Sequence, residues 1–159
     1  MQHLNYWRVP SGGPCLVIHE AVLKVFAKHA QTDNNMLESG GILLGYVREP
    51  HLEVLEATEP TRWDKRLRCF FDRSSRGHYE LAQRRSRESG GLIRYLGEWH
   101  THPEDYPVPS SVDKSGWKKL ASKRQDKRPV LAVIVGRKGL HVELIDYEGE
   151  AMIMQWELE

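Results

Sequence analysis

The sequence lacks the cysteines from which a disulfide framework or a cysteine-based metal site is built. Its two cysteines, Cys15 and Cys69, lie far apart in a chain of 159 residues, which indicates a reduced, cytoplasmic protein. No apolar run approaches the roughly 18 residues that cross a membrane, so no membrane association is expected. The segment from Met1 to Arg8 also has no apolar run typical of a signal peptide.

An excess of one charge is missing too, because 23 lysines and arginines stand against 22 acidic residues. The exception is the segment of residues 62–94, where ten cationic residues stand against four acidic ones. This basic segment is a candidate docking surface for an acidic partner, or equally a solvated helix and loop. Its few aromatic residues are not interleaved with the cations, as they are in proteins that bind nucleic acid. We therefore do not expect this protein to bind nucleic acid.

The pattern of apolar residues predicts the fold class. A chain of this length with 40% hydrophobic residues is expected to form a single domain over residues 1–159. Helices are predicted at 19–32, 76–88 and 110–124, and strands at 15–18, 39–47, 51–58, 67–71, 92–99, 130–135, 140–147 and 151–156. These elements predict a mixed α/β domain whose mostly antiparallel sheet is flanked by two or three helices. The inner face of the last helix is predicted to consist of Val112, Gly116, Trp117, Leu120 and Ala121.

Two histidines, His100 and His102, follow a predicted strand with one residue between them. Side chains two residues apart on a strand point to the same face, so both imidazoles can bind one metal ion at about 2.0–2.1 Å. Ten residues lie between His102 and Asp113, which falls in the first turn of the predicted helix. Two histidines and one carboxylate leave a fourth tetrahedral position open, as in a catalytic zinc site.

Each part of this pattern also has a plain structural explanation. An H-x-H sequence is usually coincidental, and Ser110 followed by Asp113 forms the pattern of a helix capping box. Glu38 by itself is one of many acids and could be a solvated residue at the start of a strand, although Gly40 and Gly41 beside it indicate a closely packed backbone. A nucleobase deaminase is excluded because no P-C-x-x-C motif follows the histidines.

Read together, three motifs resemble the JAB/MPN/JAMM metallopeptidase family. They are Glu38-Ser-Gly-Gly-Ile-Leu-Leu-Gly45, Glu98-Trp-His-Thr-His-Pro103 and Ser110-Ser-Val-Asp113. The resemblance covers essentially the whole chain, and the combined pattern is highly specific although no single motif is. It implies one MPN domain.

The resemblance also implies the role of each motif residue. One Zn2+ per chain would be ligated by His100, His102 and Asp113. Glu38 would act as the general base that holds a water molecule at the zinc, takes its proton and passes it to the leaving amine. The hydroxyl of Ser110 would help to stabilise the oxyanion.

The short chain and the run from Tyr95 to Pro103 are most similar to stand-alone bacterial members of this family. That similarity implies a deubiquitinase-like isopeptidase of CBASS anti-phage operons. It would cleave the bond between the C-terminus of a cyclic-nucleotide synthase and its target, opposing activation, and would be linked functionally to ubiquitin-activating-like and conjugating-like enzymes. Two alternatives stay open: a peptidase that processes a ubiquitin-like sulfur carrier in biosynthesis, and a non-catalytic MPN binding module.

Overall fold

A computed structural model describes residues 5–157. The segment from Met1 to Arg8, in which we found no signal-peptide pattern, therefore lies partly outside the described residues. The elements are β1 (Asn5–Arg8), β2 (Cys15–Ile18), α1 (Glu20–His29), β3 (Gly40–Arg48), β4 (His51–Ala57), β5 (Lys65–Leu67), β6 (Phe70–Asp72), α2 (His78–Glu88), β7 (Arg94–Thr101), α3 (Ser111–Ser122), β8 (Val130–Val135), β9 (Leu140–Ile145), β10 (Ala151–Ile153) and β11 (Gln155–Glu157). The three described helices are all too short and too polar to cross a membrane.

Nine of these strands form one sheet in the order β10-β9-β8-β7-β3-β4-β2-β1-β11. Neighbouring strands are antiparallel except for two parallel pairs, β2 with β4 and β7 with β8. The predicted mixed α/β class with a mostly antiparallel sheet is therefore confirmed. Because β7 and β8 are parallel and α3 connects them, the helix begins near the end of β7.

Two predicted strands are wrong in detail. The single strand expected at 67–71 is a hairpin, in which β5 and β6 pair from Lys65 opposite Asp72 to Leu67 opposite Phe70. The strand expected at 151–156 is interrupted at Met154: β10 pairs with β9, whereas β11 pairs with β1 at the other edge of the sheet. Met154 is buried and its N–H donates to the carbonyl of Val142, which fixes the point where the chain changes edges.

The helices pack on the sheet through narrow apolar stripes. Val22 and Phe26 of α1 are buried, and the Phe26 ring lies 5.2 Å from the ring of Trp99 on β7. On α3, Trp117 and Ala121 are buried against β8 and β9. The predicted inner face of α3 is otherwise too wide, since Val112 is 71% exposed and Gly116 is also exposed. These two residues lie roughly 140° and 100° around the helix from Trp117.

The glycines at the start of β3 are packed as closely as the sequence indicates. A Cβ on Gly41 would lie 2.2 Å from the carbonyl oxygen of Thr58, and one on Gly40 would lie 2.6 Å from that of Trp99. Backbone atoms cannot give way as the end of a flexible side chain can. The close approach of these strands therefore depends on the absence of a side chain here.

We expect Gly41→Ala to lower the free energy of unfolding by about 3 kcal/mol, because the added methyl group overlaps a backbone carbonyl in a packed sheet. The matched control is Gly116→Ala on the exposed face of α3, where a Cβ meets nothing within 4 Å. This control should raise the free energy of unfolding by up to about 1 kcal/mol. Urea unfolding of both variants gives the comparison, and equal stabilities would refute the packing argument.

Candidate metal centre

The end of β7 presents two imidazoles on one side of the sheet. His100 lies in register with Gly40 of β3 and with Ile134 of β8. Just beyond the strand, the backbone N–H of His102 donates to the carbonyl of Val135, with 3.0 Å between the two atoms. The positions of the two histidines are therefore set by backbone hydrogen bonds on both flanks of the strand.

The three predicted ligands come together. The Nε2 atoms of His100 and His102 are 3.0 Å apart, and Asp113 places Oδ1 3.3 Å from the first and Oδ2 3.2 Å from the second. Ligand atoms about 2.0 Å from a tetrahedral zinc ion lie about 3.3 Å from one another, so the two imidazole nitrogens and the Asp113 carboxylate are spaced as such an ion requires. Two imidazoles and a carboxylate are also a donor set that suits zinc.

Asp113 is oriented by the start of α3. Ser110 is the N-cap residue: its Oγ accepts a hydrogen bond from the Asp113 N–H (3.1 Å), and its own N–H donates to Asp113 Oδ2 (2.8 Å). The capping box predicted as the structural alternative is thus present, and it turns the carboxylate toward the histidines. Burial alone would raise the pKa of Asp113, but the two imidazoles outweigh it and hold the pKa well below its usual range.

Glu38 is buried, with 4% of its surface exposed, so the alternative of a solvated residue at a strand start is wrong. Loss of hydration raises the pKa of its carboxyl to about 7, while the charge of His102 lowers this pKa and the charge of Asp113 raises it. His102 and Asp113 therefore both act electrostatically on the Glu38 carboxyl.

The hairpin of β5 and β6 holds the backbone of Glu38. The Glu38 N–H donates to the carbonyl of Leu67, and Arg66 Nε donates to the carbonyl of Glu38, both at 2.8 Å. The guanidinium of Arg66 also donates to Ser39 Oγ at 2.7 Å. One cation of the basic segment therefore has a structural role, and docking of an acidic partner by the others stays a prediction.

Sequence reasoning gave Glu104 no role at the metal site. Its Oε1 lies 2.9 Å from Nδ1 of His102, on the side of the ring away from the other donor atoms. Burial alone would lower the pKa of His102, but its bonds to Asp113 and Glu104 outweigh this and raise the pKa. A carboxylate on the second ring nitrogen fixes the orientation of a metal-binding histidine.

His78 is a buried polar residue near the candidate metal site, and the sequence gave no indication of its role. His78 lies between Thr58 Oγ1, 2.6 Å from its Nδ1, and Asp64 Oδ2, 2.9 Å from its Nε2. Thr58 Oγ1 accepts the N–H of Ile42 on β3, and the Thr58 carbonyl accepts the indole N–H of Trp99, next to His100. Through Thr58, His78 is thus connected to the backbone of β3 and to the Trp99 side chain of β7.

The fold and these side chains together define a JAB-type domain. Residues 19–152 match the family described as prokaryotic homologs of the JAB domain, and the chain belongs to this family.

Individual relatives are similar along most of the chain. A CD-NTase/cGAS isopeptidase of Pseudomonas aeruginosa is 45% identical over 153 residues, covering 96% of this chain and 97% of the relative. A protein of the same name from Escherichia coli is 36% identical over 80% of each chain. A probable metalloprotease of Sinorhizobium fredii, 27% identical over 75% of this chain and 74% of its own, supports a metal cofactor. The solution structure of a Desulfitobacterium hafniense protein, 21% identical, has the same fold, with a TM-score of 0.56 and 88% of each chain covered.

We expect Glu104→Ala to weaken zinc binding about tenfold, because His102 loses the acceptor that orients its ring. Glu104→Gln keeps an acceptor oxygen and should recover most of the affinity. Competition with a chromogenic chelator measures both dissociation constants, with Glu148→Ala in the distant turn before β10 as control. Zinc binding by Glu104→Ala at wild-type strength would show that the carboxylate has no orienting role.

The burial of Glu38 predicts a pH-dependent stability in metal-free protein. The folded state raises this pKa from 4.5 to about 7, so it binds more protons than the unfolded state, and stability falls as the pH rises from about 4.5 through 7. Glu38→Gln removes the charge and should make metal-free protein more stable than wild type at pH 8 by about 2 kcal/mol. At pH 4.5 the two proteins should have nearly equal free energies of unfolding, measured by urea titration after treatment with a chelator. A difference in stability between the two proteins that is the same at pH 4.5 and pH 8 would show that the ionisation of Glu38 is not its cause.

Proposed function

We propose that this protein is a zinc-dependent isopeptidase that releases a CD-NTase, a cyclic-nucleotide synthase, from a target to which its C-terminus is conjugated. The observation that carries the proposal is the 45% identity, over 96% of the chain, to a CD-NTase/cGAS isopeptidase. Release would oppose activation of the synthase in bacterial antiviral defence. Ubiquitin-activating-like and conjugating-like enzymes would form the bond that this protein cleaves. The free thiols of Cys15 and Cys69 are compatible with action in the reducing cytoplasm.

The geometry supports hydrolysis of an amide or isopeptide bond. A zinc ion held by His100, His102 and Asp113 would polarise the carbonyl and lower the pKa of a water molecule to about 7. The Glu38 carboxylate accepts a proton from the attacking water as the new carbon–oxygen bond forms. It returns this proton to the amine nitrogen as the carbon–nitrogen bond breaks. Its burial supports this double role, because loss of hydration raises the pKa of this carboxyl above its ordinary value and favours its protonated form between the two transfers.

Ser110 supplies the hydrogen-bond donor that stabilises the oxyanion. Its Oγ accepts a hydrogen bond from the N–H of Asp113, and a hydroxyl that accepts in this way keeps its own proton to donate. The first turn of a helix is also a favourable place for negative charge, because the N-terminal N–H groups are directed outward. Ser110 therefore donates to the carbonyl oxygen of the substrate as negative charge develops there.

The test uses a conjugate in which the C-terminal carboxyl of a CD-NTase is joined by an amide bond to a lysine of a carrier protein. Glu38→Gln should lower kcat more than about 100-fold, because proton transfer is lost, while about one zinc per chain remains bound. Asp113→Ala should lose both the zinc and the activity, and Gly116→Ala should retain both. Gel separation, mass spectrometry of the products and elemental analysis give the three readouts.

The same experiment, run also with a ubiquitin-like sulfur carrier as substrate, separates the alternatives. Cleavage by Glu38→Gln at the wild-type rate would refute the general base. Wild-type protein that binds no zinc after reconstitution would favour the non-catalytic binding module. Cleavage of a ubiquitin-like sulfur carrier, with no cleavage of the CD-NTase conjugate, would favour the biosynthetic peptidase.

A further inference from the structure

We propose that Gln31 and Thr101 are positioning residues that set the location of Glu38 relative to the two histidines. This inference rests on the proposed role of Glu38 as the general base. Both side chains are removed from solvent, with 1% of Gln31 and none of Thr101 exposed. Burying an amide and a hydroxyl is unfavourable unless they are hydrogen-bonded.

Thr101 connects the histidine strand to the residue after Glu38. It lies between His100 and His102, and its Oγ1 accepts the N–H of Ser39 at 2.9 Å. The Ser39 carbonyl in turn accepts the N–H of Thr101 at 2.8 Å. The start of β3 and the end of β7 are thus joined by one backbone bond and one side-chain bond at the level of the site.

Gln31 extends this link to the two segments that flank Glu38. Its Oε1 accepts the hydroxyl proton of Thr101 at 2.8 Å, and its Nε2 donates to the carbonyls of Met36 (3.1 Å) and Arg68 (2.8 Å). Met36 lies two residues before Glu38, and Arg68 follows Leu67, whose carbonyl receives the Glu38 N–H. Only one amide orientation satisfies all three partners, because a flipped amide would place its oxygen against two carbonyls.

The candidate metal ligands do not depend on this network in the same way. The backbone around His100 and His102 is paired with β8 at Ile134 and Val135. Asp113 is held by the capping box of α3. Loss of the network should therefore displace Glu38 and leave the three donor atoms in place. The expected signature is a fall in kcat without a matching loss of zinc affinity.

Three variants test this inference in the full chain. Thr101→Val keeps the shape and removes the hydroxyl, Gln31→Met removes the amide, and Thr101→Ser restores the hydroxyl. The first two should lower kcat at least about tenfold, since a displacement of 1 Å at a reacting group costs up to about 100-fold. KM and the zinc dissociation constant should change less than about threefold. Thr101→Ser should retain most of the activity, and the double variant Gln31→Met/Thr101→Val should lose little more than the worse single variant.

Amide exchange supplies a readout that needs no substrate. The Ser39 N–H should exchange at least about tenfold faster in Thr101→Val and in Gln31→Met than in wild type, and Gly116→Ala should leave it unchanged. Unchanged Ser39 exchange, wild-type kcat in both variants, or zinc affinity that falls in step with kcat would overturn the inference. An inactive wild-type enzyme would instead refute the proposed function, and Ser39 exchange would then decide the positioning role alone.

Discussion

The register of β7 between β3 and β8 is the constraint on which the rest of the site depends. His100 is paired on both sides, with Gly40 and with Ile134, and Trp99 beside it is 1% exposed. A slip of one residue would turn the indole outward and the imidazoles into the core. The burial of Trp99 therefore selects one register, and the indole bond to Thr58 adds a directional restraint to that selection.

Glu38 shows how a group unfavourable for folding is retained. Its carboxyl is withdrawn from water, which opposes ionisation. Its backbone, in contrast, is fully engaged, because the N–H and the carbonyl both bond to the hairpin of β5 and β6. The neighbouring backbone and Arg66 supply the stability, so the side chain is left free for the proton transfer proposed above. A side chain that is itself unfavourable for folding can be retained in this way, because neighbouring residues supply the stability.

The sequence predicted the parts of this arrangement that depend on local spacing. Strand alternation places His100 and His102 on one side, and helix capping places Asp113, so these residues and the α/β class could be predicted from short-range rules. The bond between Glu104 and His102 joins residues only two positions apart, yet sequence reasoning overlooked it. The burial of Glu38 and the three partners of Gln31, in contrast, depend on segments up to 70 residues apart, which no local pattern encodes. The break at Met154 was missed for the same reason, since strand partners at opposite edges split a mostly apolar run whose one polar residue is Gln155.

That break has a consequence for the handling of the molecule. Residues 151–157 cover β9 at one edge of the sheet and β1 at the other, although a single residue separates the two short strands. Removal of residues 151–157 would uncover two rows of unpaired N–H and C=O groups, one on β9 and one on β1. Such rows are templates for strand addition between molecules. Loss of this short segment would therefore leave two open sheet edges, through which molecules could associate into chains as well as pairs.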